Sequence, residues 1–207
     1  MINCEHIPPE MKAAPRWLLW RQECRHGSDK PSKLPYYANG KERGKGGNLD
    51  DAKDLSQLAT LDEVLAVLEH PAGKPYEGIG FALGPDGTGN CWQGIDLDHV
   101  SEKGLSELVK ELPSYVEESP SGDGVHVIGY GKRFAALGSN VTGIEAYSEK
   151  RYFTVTGKVV IGDSLCDLSE FVSLRLGHLH KGKSLTCFTQ RHRGIEEHRE
   201  PQVTSPT

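Results

Sequence analysis

Apolar and polar positions along this chain alternate in short runs far more often than they recur at helical spacing. Trp17-Leu-Leu-Trp20 reads as a short buried strand whose two tryptophans point to opposite faces and into core. His26 to Ser32 reads as a turn, and Leu34 to Tyr37 as a strand returning beside the first. Before them, residues 1–15, with Pro8, Pro9 and Pro15, read as a loose lead-in. Asp51 to Glu69 is helical: leucines at 55, 58, 61, 65 and 68 keep one face, and Thr60 with Glu63 forms a capping-box signature that predicts a break near 60. Ile79 to Leu83 and Cys91 to Leu97 are strands, with the glycine-rich segment 84–89 as a hairpin-like turn between them. Leu105 to Leu112 is a helix stopped by Pro113. Tyr115 to Glu118 and Val125 to Tyr130 are strands joined by Ser-Pro-Ser-Gly-Asp-Gly. Gly143 to Tyr147 and Tyr152 to Gly157 are two more strands, and Leu168 to Leu174 a last helix. After Leu176 the period is lost. The expectation is one α/β domain of the α+β kind over residues 1–177, then a flexible tail or linker over 178–207.

Within the strands, residues two apart share a face. In Gly94-Ile-Asp-Leu-Asp-His99 the two acids, Asp96 and Asp98, oppose Ile95 and Leu97. His126 stands between Val125 and Val127, and Glu145 between Ile144 and Ala146. If these strands are neighbours, Asp, His and Glu converge on one side of one sheet. Two strand carboxylates about 7 Å apart along the chain can reach a common divalent ion, and a third acid would permit a pair of ions. A solvent-facing pair of aspartates on an antiparallel strand is the plainer alternative. The segment 119–124 offers backbone N–H groups and the hydroxyls of Ser119 and Ser121 at a sharp bend, which suits either an anion nest or an ordinary turn.

Composition changes this picture little. The chain has 207 residues, 36% hydrophobic and 26% charged, with 24 glycines and 12 prolines, an ordinary globular mixture rich in turns. No apolar run resembles a signal peptide or a membrane span. Five scattered cysteines argue against a disulfide framework and for a reducing cytoplasm. The net charge of −5 does not announce a nucleic-acid partner, but Arg16 to Lys53 carries nine basic residues to five acidic ones. Within that stretch the loop 38–48 is basic and glycine-rich. It lacks the spacing and the Ser/Thr of an ATPase phosphate loop, and reads as a flexible loop, solvated or touching template phosphates. The pairs Cys4–His6 and Cys24–His26 lack the spacing of a zinc finger. The His- and Arg-rich tail reads as a solvated linker or an extra grip on nucleic acid.

Taken in order, residues 94–99, 118–127 (Glu-Ser-Pro-Ser-Gly-Asp-Gly-Val-His-Val) and 143–157 resemble the primase-polymerase domain of the archaeo-eukaryotic primase superfamily. The likeness is to the forms encoded by phages, plasmids and other mobile genetic elements. It extends to the strands 17–20 and 33–36 and covers about residues 12–175. The resemblance implies a two-module fold with an RRM-like sheet and the active site in the cleft between modules. It implies a DNA primase or DNA polymerase, a nucleotidyltransferase of DNA replication that adds NTPs or dNTPs on a single-stranded DNA template. Asp96, Asp98 and Glu145 match its catalytic metal ligands for two Mg²⁺ or Mn²⁺ ions, and His126 matches the histidine that meets the nucleotide's phosphates. Ser119, Ser121, Arg151 and Lys33 stand as further nucleotide contacts. A helicase, on another chain or in a further region, is the expected partner, with no membrane. The alternative is a module that binds nucleotide or DNA without turnover.

Overall fold

The computed structural model describes residues 2–24, 29, 31–70 and 76–181. His26, Cys187 and the tail beyond 181 lie outside them, and with them the expectations placed there. Strands alternate irregularly with short helices, and the architecture is α+β.

The first sheet holds β1 (Trp17–Cys24), β2 (Pro31–Tyr36), β3 (Gly78–Ala82) and β9 (Tyr152–Val155) in the order β2-β1-β3-β9, all antiparallel. The second holds β4 (Gly84–Pro85), β5 (Cys91–Leu97), β6 (Tyr115–Glu118), β7 (Val125–Gly131), β8 (Ile144–Tyr147) and β10 (Val159–Ile161). Its order is β10-β6-β7-β5-β4, with β8 also paired to β5. Helix α1 (Pro9–Ala13) precedes the first sheet, and α2 (Ala52–Leu55) and α3 (Leu61–Glu69) follow β2. The capping box at Thr60 and Glu63 is present, and the chain breaks into two helices where the sequence indicated. Helix α4 (Ser106–Lys110) lies between β5 and β6, and a helical segment from Ser169 to Leu179 closes the described chain. That segment runs past 177, so the first residues assigned to the tail are helical.

Three apolar clusters hold the layers together. One lies between the sheets: Trp17 packs edge-on to Phe81 at 5.0 Å, Phe81 to Trp92 at 4.8 Å, and Trp92 meets Tyr130 at 5.0 Å. A second covers the other face of the second sheet, where Ile95, Leu97, Val116 and Val127 meet Leu108, Leu112, Val172 and Leu176 of the helices. The third backs the first sheet with Leu18, Tyr37, Leu58 and Ala82. Trp17 and Trp20 do point to opposite faces, and both are buried.

Two expectations change. The lead-in is not loose, because Ile7 and Met11 are buried in the inter-sheet core and the Trp17 indole donates to the Met11 carbonyl. The strands on either side of residues 84–89 do not form one hairpin. The chain leaves the first sheet after β3 and enters the second at β4, so the glycine turn joins β4 to β5 instead. It crosses back between β8 and β9.

Candidate active site

Register in the second sheet places four ionisable side chains in one row. Asp96 on β5 is the partner of Glu145 on β8 and of His126 on β7, and His126 is in turn the partner of Glu117 on β6. Ile95, Leu97, Val127 and Ile144, one residue out of phase, face the helices. The strand period of two therefore gives this sheet one apolar face and, at one end of the other face, an acidic row. Asp98 lies two residues beyond Asp96, its N–H donating to the Gly143 carbonyl at 2.8 Å. Gly94 lets the row meet the first sheet. A Cβ there would stand 2.5 Å from the Phe153 ring, so glycine admits Phe153 of β9 over β5.

That approach fixes the histidine. The His126 ring lies 5.0 Å from Phe153, and its Nδ1 sits 2.9 Å from the Thr154 carbonyl. A carbonyl only accepts, so Nδ1 carries the proton and donates. Burial pushes the imidazole down to about 4, so the ring is neutral at pH 7 and Nε2 presents a lone pair. Nε2 is 3.7 Å from Asp96 Oδ1, too far for a hydrogen bond.

Asp96 Oδ1 is buried and has no hydrogen-bond partner. Burial first, then the charges of Asp98 and Glu145, push its carboxyl up to about 7. A native chain seldom leaves a buried carboxylate oxygen without a donor. A cation is one group that satisfies it, and three carboxylates are the hard-oxygen set that Mg²⁺ or Mn²⁺ takes. The fit is one of donor chemistry and not of a closed cage: among the described residues, no three His, Cys, Asp or Glu side chains converge as a ready ligand set. Glu145 is held aside by Tyr147, whose hydroxyl donates to Oε2 at 2.6 Å.

The turn 119–124 abuts the same strand end. The Val100 N–H donates to the Asp123 carbonyl at 2.9 Å, and a Cβ at Gly124 would stand 2.6 Å from the Leu97 carbonyl oxygen. Ser119 is buried with its hydroxyl 2.9 Å from that of Ser121, and Ser121 donates to Asp123 at 2.5 Å. Asp123 also lies 3.0 Å from His99 Nδ1. Lys33 stands near enough that its charge lowers the Asp96 carboxyl and the His126 imidazole. It lines a hollow of about 700 Å³ together with Lys150, Arg151 and Tyr152, whose hydroxyl donates to the Lys33 carbonyl. Arg151 reaches the row through Tyr147, its guanidinium 4.5 Å over that ring. Asp96, Asp98, Glu145 and His126 thus come together, with the serine turn beside them and Lys33 and Arg151 on a flanking wall.

Glu117 was missed. It is fully buried and accepts from the Tyr115 hydroxyl at 2.8 Å, the Thr156 N–H at 3.0 Å and the Gly157 N–H at 2.9 Å. Burial pushes its carboxyl up to about 7 against those donors. The parity of Tyr115-Val-Glu117 against Val125-His-Val127 could have revealed it. Glu117→Ala leaves three donors, two of them buried, without an acceptor, an expected loss of roughly 3 kcal/mol in urea denaturation. Glu117→Gln, which keeps one acceptor oxygen, should recover part of it.

No protein-family model matches the chain. An alignment of 169 residues, taking in 74% of the chain, shows 31% identity to a DNA primase-polymerase of Nitratiruptor phage NrS-1. The chain spans about a fifth, 21%, of that protein's length. An identity of this extent bears out the resemblance carried by the three motifs: the chain carries a domain of the phage primase-polymerase type.

Proposed function

We propose that this domain is a DNA-templated nucleotidyltransferase, a primase, a polymerase or both, that adds NTPs or dNTPs to a strand. The observation that carries this reading is Asp96: a buried carboxylate with an unpartnered oxygen, between Glu145 and His126 in one row and two residues from Asp98. Asp96, Asp98 and Glu145 would hold two Mg²⁺ or Mn²⁺ ions. Bound there, the ions would acidify a strand's 3′-hydroxyl and offset charge at the α-phosphorus as pyrophosphate leaves.

The chain's own groups do the positioning. His126, locked by Thr154 and Phe153, offers Nε2 toward the site. Its lone pair takes up a proton when an anionic phosphate arrives to stabilise the imidazolium, and the ring then donates to that phosphate. The 119–124 turn presents Ser119, Ser121 and its backbone beside the same strand end. Lys33 and Arg151 supply positive charge from the flanking wall. Phe153 covers one side of His126, which strengthens the contact that this ring makes. A helicase on the same polypeptide or another would deliver the single-stranded template. Among the described residues no helix is long and apolar enough to cross a membrane.

The test is a primer-free assay on single-stranded DNA with labelled NTPs and dNTPs in Mg²⁺ or Mn²⁺, run beside a primed template. Products without primer establish a primase and report its sugar preference. Extension of the primer alone makes the domain a polymerase. Silence in both, with nucleotide or DNA still bound, replaces this reading with a binding module.

A further inference from the structure

The basic, glycine-rich loop takes no part in the row of acids, yet it is built with care. The Tyr37 N–H donates to the Lys41 carbonyl at 2.9 Å, and the Arg43 N–H to the Pro35 carbonyl at 2.8 Å. The Arg43 side chain is buried and bound to Asp54 at 2.6 Å and 2.8 Å. The loop is therefore held to the body at Arg43, and Lys41 and Lys45 on either side of it are exposed. The expectation of a flexible loop is corrected to that extent.

The loop is also a ridge. Glu42, Gly44 and Lys45 form part of the walls of two separate hollows. On one side is the hollow of about 700 Å³ with Lys33, Lys150 and Arg151. On the other is a smaller one of about 160 Å³, where Lys41, Lys45 and Lys53 meet Gly46, Gly47 and Asn48. Of the acids lining the second hollow, Asp54 is buried under Arg43, Glu42 lies 3.7 Å from the exposed end of Lys45, and Asp51 caps α2 by accepting from the Asp54 N–H at 2.8 Å. Lys41 and Lys53 make no ion pair among the described residues and are exposed.

Gly47 adds a separate observation. A Cβ there would meet nothing within 4 Å, and its backbone is outside the left-handed region that favours glycine. Neither packing nor conformation requires a glycine at 47. What it leaves is bare backbone facing open space.

We propose that a nucleic-acid strand leaves the acidic row across this ridge, its phosphates held by Lys45 on the crest and by Lys41 and Lys53 beyond it. This rests on the nucleotidyltransferase reading only for which end of the track meets the acids. Cations on both sides of a ridge suit a chain of phosphates, where a single triphosphate would fill one hollow. The one aromatic residue lining the second hollow, Tyr37, is buried with its hydroxyl on Asp54, so no base is stacked there and the grip is on the backbone.

The test is anisotropy of a labelled oligo-dT and a labelled mixed-sequence oligonucleotide over a salt series, without nucleotide or turnover. Two variants are compared with wild type: Lys41→Ala/Lys45→Ala/Lys53→Ala, and Gly47→Asp, which places a negative charge in open space. The substituted side chains are exposed or absent, so thermal melts of both should match wild type. The triple variant is expected to bind about tenfold or more weakly near 100 mM salt. Its plot of log affinity against log salt should be flatter by about 2, the value for three phosphates on a single strand. Gly47→Asp should weaken both oligonucleotides alike. Wild-type affinity and slope in the folded triple variant overturn the proposal, as does a wild type that binds no strand at low salt. A wild type that binds with this loop-dependent slope but transfers no nucleotide removes the catalytic reading and leaves the track standing.

Discussion

Asp96→Asn is expected to abolish nucleotide transfer, a loss on the order of a thousandfold or more, and to make the metal-free protein more stable. Both effects have one cause. In the free protein the Asp96 carboxylate is desolvated, faces Asp98 and Glu145, and has an oxygen with no donor. The amide keeps the shape and removes the charge. Because the carboxyl is displaced upward, from 3.8 to about 7, the folded state holds its proton more tightly than the unfolded chain. Its stabilising contribution is complete below pH about 4 and is lost as pH rises to about 7. Wild type and Asp96→Asn should therefore melt alike near pH 4, and the variant should melt higher at pH 8. The full displacement corresponds to about 4 kcal/mol; partial exposure of the side chain argues for about 2, or roughly 5 °C in a domain this size. Mn²⁺ should raise the wild-type melt at pH 8 and leave the variant where it was. Thermal melts with and without metal, beside the transfer assay, check all of this. Full transfer by the variant, or a wild type that Mn²⁺ does not stabilise, removes Asp96 from the metal site.

The acidic row was legible because strand parity is a local property. Once Cys91 to Leu97 is read as a strand, Ile95 and Leu97 place Asp96 on the other face with Asp98 just past the strand's end, and His126 and Glu145 follow by the same rule. The ends of several strands and the break at Thr60 were legible for the same reason, since turn glycines and a capping box act over a few residues, but β1 runs on to Cys24, β2 begins at Pro31, and β10 was not foreseen. Which strands would be partners was legible only in part: β2 does return beside β1, but the pairing after β3 was not foreseen. A glycine turn after β3 looks alike whether the chain doubles back or moves to a second sheet. The decision is made by distant contacts. Arg16, buried, donates to the carbonyls of Ala82, Leu83 and Pro85 at 2.7 Å, 3.0 Å and 2.9 Å, at the point where the chain leaves the first sheet. Nothing in the local pattern marks an arginine for that task. Met11 and Ile7 were concealed by their proline neighbours in the same way, and Arg43 by the glycines around it.

Arg43→Met is expected to destabilise the domain by about 3–5 kcal/mol, although the residue touches none of the acids in the row. Its guanidinium binds Asp54 through two nitrogens at 2.8 Å and 2.6 Å and reaches Asp50 at 3.3 Å, with all three side chains buried. The cluster spreads to the first two of the three crossings between the sheets. Asp50 accepts from the Lys150 N–H at 2.7 Å, and Arg43 donates to the Arg151 carbonyl at 3.4 Å, where the chain returns to the first sheet. A Cβ at Gly84, where φ is +120°, would stand 2.5 Å from Asp50, so the outward crossing packs on the same carboxylate. Methionine fills much of the space but leaves Asp54 and Asp50 as buried charges with fewer partners. Burial works to raise the Asp54 carboxyl, yet the bonds to Arg43 and Tyr37 hold it below its usual 3.8. That stabilisation is present above pH about 4 and is lost as pH falls through the lowered value. Asp50, raised by burial, opposes it in part. The gap between wild type and Arg43→Met should consequently be widest near neutral pH and shrink below about 4. In a double-mutant cycle by urea denaturation, Asp54→Leu on top of Arg43→Met should cost far less than Asp54→Leu alone, because the uncompensated charge goes with it. Costs that simply add would mean the pair contributes nothing as a pair. A cycle that couples, together with weaker nucleotide binding in Arg43→Met well below its melting point, would show that the backbone of Lys150 and Arg151 is held in place from Arg43.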